Sequence, residues 1–499
     1  MKIKIVTTPN IAIPVAINQT NSLEMMIPPY GPACLASYLR QRGHQVQLQD
    51  VSSRVGELAE VPGLPHTDGI LKRVGDYLIR GTRDDAVDAF AEQIFRHVYA
   101  DGLDLVGISV LSRCSFFSAL LLAKKIKEKT VTPVVLGGAL MTEYGVNRTR
   151  ITKLMETFKF IDYIVCGDGE VPLLGLLEQI RGVTAARDVP GLSYRDNGGI
   201  KVNERFFSDI EAMPIPDWDG LPMELYHSGE GLQLVYQVTR GCPQKCSFCA
   251  YHLIDTRVMF KSHNKVLSEL AALRDKYKAR YFFFCDSNLS VSYDYLQELC
   301  GLMVKNELNI SWFVSASVKN MDRKLLDNMR KAGCYYVTWG IESGSDKVLR
   351  LMNKGFSSAQ AANVLKDAHS LGIYNMVNLI TGFPGENDED LELTRSFIRQ
   401  NAEFIGHVKV ADFGLIPGTP MHEHPAEYGL QNVHADRRSA IGLGRLGYDE
   451  INGPVWKEIL VRNKRANQII NQEAMQFLRN KAAMKAKIGG TKQIRNFFG

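Results

Sequence analysis

Two runs of alternating strand-like and helix-like segments, parted by the proline-rich stretch MPIPDWDGLP at residues 213–222, constrain the fold of this 499-residue chain more than any other feature. A strand, a helix and a further strand close most readily as a right-handed crossover, so each run predicts a largely parallel sheet covered by helices. In the first run, residues 2–7 read as a strand, 30–42 as a helix with Pro32 near its start and Gly43 as its stop, and 45–50 as a second strand. After a long insertion, residues 104–109 read as a buried strand, a helix capped by Ser115 runs to about Lys129, and strands follow at 133–136 and 162–166. All are predicted to lie parallel.

Residues 192–203 flank Asp196, Asn197, Gly198 and Gly199 with two short apolar runs, a hairpin signal, and residues 213–222 then read as a linker. The second run predicts strands at 234–239, 281–285, 312–316, 336–340, 375–380 and 409–413 with helices between them. The fold class expected is α/β. A Rossmann-like doubly wound parallel sheet occupies residues 1–195, a hairpin and linker 196–230, a partial (βα)6 TIM-type barrel 231–425, and a small helical, basic region 426–499.

The longest apolar runs, such as 119–123 and 281–285, fall far short of the roughly 20 residues that span a bilayer, so no membrane span is expected. Pro9, Asn10 and Pro14 interrupt the N-terminal apolar stretch, unlike a signal-peptide core, and a cytoplasmic location is expected. The net charge of +5 is too small to imply nucleic acid, although residues 456–499 hold ten Lys or Arg against two acidic residues. Nine scattered cysteines suit metal or redox chemistry better than a disulfide framework.

The stretch VTRGCPQKCSFC sets Cys242, Cys246 and Cys249 in a C-x-x-x-C-x-x-C loop directly after a predicted strand. Three thiolates can hold three irons of a cubane 4Fe–4S cluster and leave the fourth iron open to a small-molecule ligand. A zinc site is the alternative, with His252 as the nearest fourth ligand. The other cysteines show no ligand spacing and read as core residues; Cys285 stands apart at a strand end.

This loop resembles that of the radical S-adenosylmethionine (SAM) superfamily, and further segments resemble it in order. Phe248 stands where that family has an aromatic near the adenine. FFFCDSNLS (282–290) is similar to its second-strand segment, which makes Asp286 and Asn288 candidates for the SAM amino group. WGIESGSDKVLRLMNKG (339–355) is similar to its fourth-strand segment, with Glu342 as a candidate SAM contact. LITGFPGEN (379–387) is similar to its fifth-strand turn, with Gly382 and Gly385 letting backbone approach the adenine, and LIPGTP (415–420) follows the sixth strand. The resemblance implies a 4Fe–4S cluster, SAM, reductive cleavage to a 5′-deoxyadenosyl radical, and an electron donor such as flavodoxin or ferredoxin. No catalytic acid, base or nucleophile is diagnostic.

The N-terminal segments 27–50, 104–127, 133–142 and 162–170 resemble the cobalamin-binding domain found in part of that superfamily, so the two resemblances together cover about residues 1–425. They imply cobalamin as a cofactor, with Ser109 and Leu111 facing its nucleotide loop and Gly137 and Gly138 leaving room for a large planar ligand. The D-x-H-x-x-G loop that supplies a histidine below cobalt in related carriers is absent after the first strand. A Rossmann-like domain that binds no cobalamin is the alternative. The function implied is a cobalamin-dependent methyltransferase acting on an unactivated carbon of a small-molecule or peptide substrate. Radical cyclisation, ring contraction or carbon–carbon coupling is the next reading, and a non-catalytic iron–sulfur protein the third.

Overall fold

The computed structural model describes residues 1–10, 27–52, 69–228, 231–254, 257–435 and 446–488. They fall into two compact units, Met1–Leu232 and Gln233–Asn496.

The first unit is built on β1 (Lys2–Thr7), α1 (Tyr30–Arg40), β2 (Gln45–Asp50), α2 (Ile70–Arg80), α3 (Asp85–Val98), β3 (Leu105–Ser109), α4 (Arg113–Lys129), β4 (Val134–Gly137), α5 (Ala139–Tyr144), α6 (Arg148–Thr157), β5 (Tyr163–Val165), α7 (Glu170–Ile180), β6 (Leu192–Asp196) and β7 (Gly199–Val202). The sheet order is β2-β1-β3-β4-β5-β6-β7. Strands β1 to β5 pair in parallel, while β6 and β7 are antiparallel. Asn197 and Gly198 both adopt positive φ, as a two-residue hairpin turn that follows strand twist requires.

Three details differ from the sequence reading. Helix α4 is capped by Ser112, and Ser115 closes a capping box as its third residue. The insertion holds two helices: α2 ends on left-handed Gly81, and α3 starts on Asp84, whose carboxylate also pairs with Arg73 at 2.7 Å. The proline-rich stretch is no free tether. Trp218 is fully buried and its Nε1 donates to the Pro29 carbonyl at 3.2 Å, while Asp217 pairs with Arg40 at 2.6 Å, so it packs on the first unit.

The second unit holds β8 (Gly231–Tyr236), α8 (His263–Tyr277), β9 (Tyr281–Phe284), α9 (Tyr293–Lys305), β10 (Ser311–Ala316), α10 (Arg323–Lys331), β11 (Cys334–Glu342), α11 (Asp346–Leu351), α12 (Ser358–Ser370), β12 (Tyr374–Thr381), α13 (Asp388–Gln400) and β13 (His407–Asp412). The strands β8 to β13 pair in parallel in chain order, giving a half-barrel. Alternate side chains, among them Phe284, Trp312, Trp339 and Val377, are buried on one face. The other alternate positions stay half-exposed along β9, β10 and β12.

Beyond the barrel, the sequence predicts helix alone. The structure has an antiparallel pair first, β14 (Leu430–Ala435) with β15 (Leu446–Glu450), and then the long helix α14 (Trp456–Ile488). Leu430, Tyr448 and Ile459 share one apolar cluster with Phe383 and Phe413, which ties this region to the strand ends of the barrel. Among the described residues, no helix is long and apolar enough to cross a membrane.

Candidate functional site

Just beyond β8 the chain turns through Gly241, whose φ is +84° and where an added Cβ would stand 1.9 Å from the Arg257 carbonyl oxygen. Only glycine fits there. The loop that follows is held from several sides. Ser247 N–H donates to the Met352 carbonyl at 3.1 Å and its hydroxyl to that of Leu351 at 2.9 Å. Asn353 donates to the Lys245 carbonyl at 2.8 Å, and Gln244 to the Ser317 hydroxyl at 3.0 Å. Cys246 is buried and Cys242 and Cys249 half-buried, all three as free thiols.

Burial pushes the Cys249 thiol up to about 11, with the neighbouring Cys246 and Cys242 adding to the rise. Burial raises Cys246 as well. Cys246 and Cys249, whose burial disfavours their own ionisation, suit a cationic partner, because a metal stabilises the thiolate that burial penalises. Among the described residues, no three His, Cys, Asp or Glu side chains converge on a single metal ion. In a cubane each thiolate takes a different iron, so three cysteines need not converge on one ion. The side chain of His252 lies outside the described residues.

Glu342 ends β11 with φ of +75°, a conformation uncommon for a non-glycine residue. Burial pushes its carboxyl up, and the Lys354 ammonium, 3.4 Å from Oε1, pulls it back. Lys354 is itself buried and lies 5.9 Å from the Phe248 ring centroid, and its charge reaches Cys246 and Cys249. The sequence reading did not single out Lys354, although it stands within segment 339–355, twelve residues after Glu342 and beyond α11. Phe248 is half-buried and meets Phe383 edge to face at 6.4 Å.

Gly382 and Gly385 both have positive φ. At Gly382 the space a side chain would fill belongs to Asn463 of α14, whose Cγ would lie 2.3 Å from an added Cβ. The Gly382 N–H donates to Glu386 Oε2 at 2.6 Å. Gly385 is less confined, with Leu351 3.3 Å from the same point.

Asp286 and Asn288 are buried and already engaged. The Asp286 carboxylate accepts the N–H groups of Val238, at 3.3 Å, and Thr239, which steadies the backbone entering the cysteine loop. Burial nevertheless pushes this carboxyl up to about 6. Asn288 Oδ1 accepts from Ser290 N–H at 3.2 Å, Ser290 hydroxyl at 2.7 Å and Ser317 N–H at 3.1 Å, joining the ends of β9 and β10.

In the first unit, Ser109 and Gly137 pair across β3 and β4. Gly138 has φ of +96°, and an added Cβ would lie 2.7 Å from the Val110 carbonyl oxygen, so this glycine lets two turns pack closely. Gly137 has open space by comparison, with nothing nearer than 3.8 Å. Leu111 is 77% exposed in the same turn, an apolar side chain left uncovered by the unit's own residues. These four sit at the carboxyl ends of strands next to the reversal of strand order, where open α/β sheets bind ligands.

Residues 236–398 match the family model of the radical SAM superfamily. The chain is 29% identical over 387 residues to an uncharacterized methyltransferase of Pyrococcus horikoshii, a match spanning 72% of this chain and 82% of the relative. It is 27% identical over 307 residues to the anaerobic magnesium-protoporphyrin IX monomethyl ester cyclase of Rubrivivax gelatinosus, spanning 59% of this chain and 54% of that one. Among solved structures, the radical S-adenosylmethionine methyltransferase TsrM from Kitasatospora setae, with cobalamin and a 4Fe–4S cluster bound, superposes with a TM-score of 0.62 at 20% identity, covering 88% of this chain and 81% of its own. The cobalamin-dependent S-adenosylmethionine radical enzyme OxsB gives 0.63 at 17% identity, covering 89% of this chain and 64% of its own. The chain thus carries a radical SAM domain at residues 236–398, and its fold is that of solved cobalamin-dependent radical SAM enzymes.

Proposed function

We propose that this chain is a cobalamin-dependent radical SAM methyltransferase that acts on an unactivated carbon of a small-molecule substrate. The observation that carries the reading is the cysteine loop bound to the segment after β11, with the Glu342–Lys354 pair and Phe248 beside it. Cys242, Cys246 and Cys249 would hold the cluster. Glu342, Phe248, Gly382 and Gly385 would line SAM, with Lys354 fixing the Glu342 carboxylate. Asp286 and Asn288 act as positioning residues, since their oxygens hold strand ends. Ser109, Leu111, Gly137 and Gly138 would face cobalamin.

When bound, cluster, SAM and cobalamin together supply a carbon-centred radical and a transferable methyl group. The protein's contribution is to orient them and exclude water. The P. horikoshii relative and TsrM, both described as methyltransferases, support methylation over other radical chemistry. TsrM also binds tryptophan as substrate, in keeping with a small molecule. A flavodoxin or ferredoxin as electron donor, and a cytoplasmic setting, complete the reading.

The match to the R. gelatinosus cyclase favours a second reading, radical cyclisation on the same scaffold. Protein purified without oxygen and supplied with iron, sulfide, cobalamin and a reductant separates the two. Methylation predicts S-adenosylhomocysteine and 5′-deoxyadenosine from SAM; 5′-deoxyadenosine alone contradicts it and favours cyclisation.

A further inference from the structure

Parallel register sets Gly340 of β11, Asn378 of β12 and Lys409 of β13 side by side on the half-exposed face of the barrel sheet. Neighbouring strands lie about 4.8 Å apart, so the three positions fall within the reach of one small group. The space over Gly340 is taken by Glu342 and Lys354: an added Cβ would meet Glu342 Oε1 at 2.8 Å and Lys354 Nζ at 3.5 Å. Lys409 is exposed and makes no hydrogen bond or ion pair with any described residue. Asn378 Oδ1 is buried without a hydrogen-bond partner. A buried amide oxygen left unsatisfied is costly, and a ligand carrying a donor would recover that cost. Met376 and His407 precede this level, and Ile380 and Ala411 follow it, so three of the four flanking side chains are apolar.

We propose that Lys409 and Asn378 form the anchoring point for an anionic oxygen group of the substrate, a carboxylate or a phosphate with an N–H or O–H donor beside it. This rests on the reading of the barrel as a radical SAM site and names the substrate class that site selects. Lys409 supplies the charge and Asn378 accepts from the adjacent donor, with Glu342 and Lys354 packed over Gly340 at the same level. A charge-assisted hydrogen bond is the stronger kind, so the anion is preferred over its neutral counterpart.

Four probes test it on the full chain with SAM present: phenyl phosphate against phenol, and phenylacetate against phenylacetamide, titrated by calorimetry. One charge-assisted contact predicts that at least one anion binds about tenfold more tightly than its neutral partner. The pair that shows the larger ratio tells phosphate from carboxylate. Lys409→Gln and Asn378→Asp should each bring the ratio to about two or below, and Lys409→Arg should keep most of it. Equal binding of anion and neutral partner, no binding of either anion, or a preference that survives Lys409→Gln overturns the proposal. So does a Lys409→Gln variant that loses SAM affinity while its anion preference stands, which would assign the lysine to SAM. Cluster absorption and SAM cleavage, measured on the same wild-type preparation, fail separately if the radical SAM reading is at fault.

Discussion

The ammonium of Lys354 lies 3.4 Å from Oε1 of Glu342, and both side chains are almost fully buried, at 6% and 12% exposure. Removing one member of such a pair leaves an uncompensated charge, which costs about 3–5 kcal/mol. Lys354→Met is therefore expected to lower stability by about that amount and to weaken SAM binding, because the Glu342 carboxyl loses the charge that holds it ionised. The double variant with Glu342→Gln should recover most of the stability. Denaturant titration of the four proteins checks this; additive losses contradict the pairing.

Gly241 is the hinge of the cysteine loop. An added Cβ would stand 1.9 Å from a backbone oxygen at a φ of +84°, and backbone cannot swing aside as a long side chain can. Gly241→Ala should leave the half-barrel folded by circular dichroism and reduce iron bound per chain severalfold. Full iron loading in a folded variant contradicts a glycine requirement.

Burial pushes the Glu386 carboxyl from an ordinary 4.5 up to about 7, with Asp390 adding to the rise. A carboxyl raised on folding favours the fold at low pH and withdraws that support as pH climbs through the folded value. Stability should fall between about pH 4.5 and 7, by about 3 kcal/mol in all. Glu386→Gln cannot titrate, so its stability relative to wild type should rise from pH 5 to pH 8. A constant difference in denaturation midpoint at the two pH values contradicts the assignment.

Much of this site is legible in the sequence, because its signals are local. The C-x-x-x-C-x-x-C spacing, the turn glycines and the alternating strands each rest on residues within a few positions of one another. What escaped depends on pairs distant in sequence. Lys354 reads as a surface lysine until α11 folds it back beside Glu342, and Asn463 fills the space above Gly382 from α14. The strand β14, LQNVHA, lacks a clean two-residue alternation because little of it is buried, so only its pairing with β15 reveals it. Ser115 reads as the cap of α4, but Ser112, three residues earlier, holds that place and Ser115 closes the capping box. Trp218 in a proline-rich stretch signals a linker by composition, while its burial makes that stretch part of the first unit.

The sequence after β1 begins TPNIAIP and offers no histidine before α1, so cobalamin bound to this chain should lack a protein nitrogen below cobalt. Electron paramagnetic resonance of the cob(II)alamin form should show lines without triplet splitting. Nitrogen triplets that persist when the nucleotide base of the cofactor is isotopically labelled would assign a protein ligand and contradict this.

Cys242, Cys246 and Cys249 should hold the cluster that cleaves SAM. Wild type and the Cys242→Ala, Cys246→Ala, Cys249→Ala triple variant, reconstituted side by side without oxygen, test it through visible absorption and 5′-deoxyadenosine formation. Wild type should show broad iron–sulfur absorption and SAM cleavage and the variant neither, since no thiolate remains in the loop. A triple variant that keeps the absorption and cleaves SAM at the wild-type rate would contradict it.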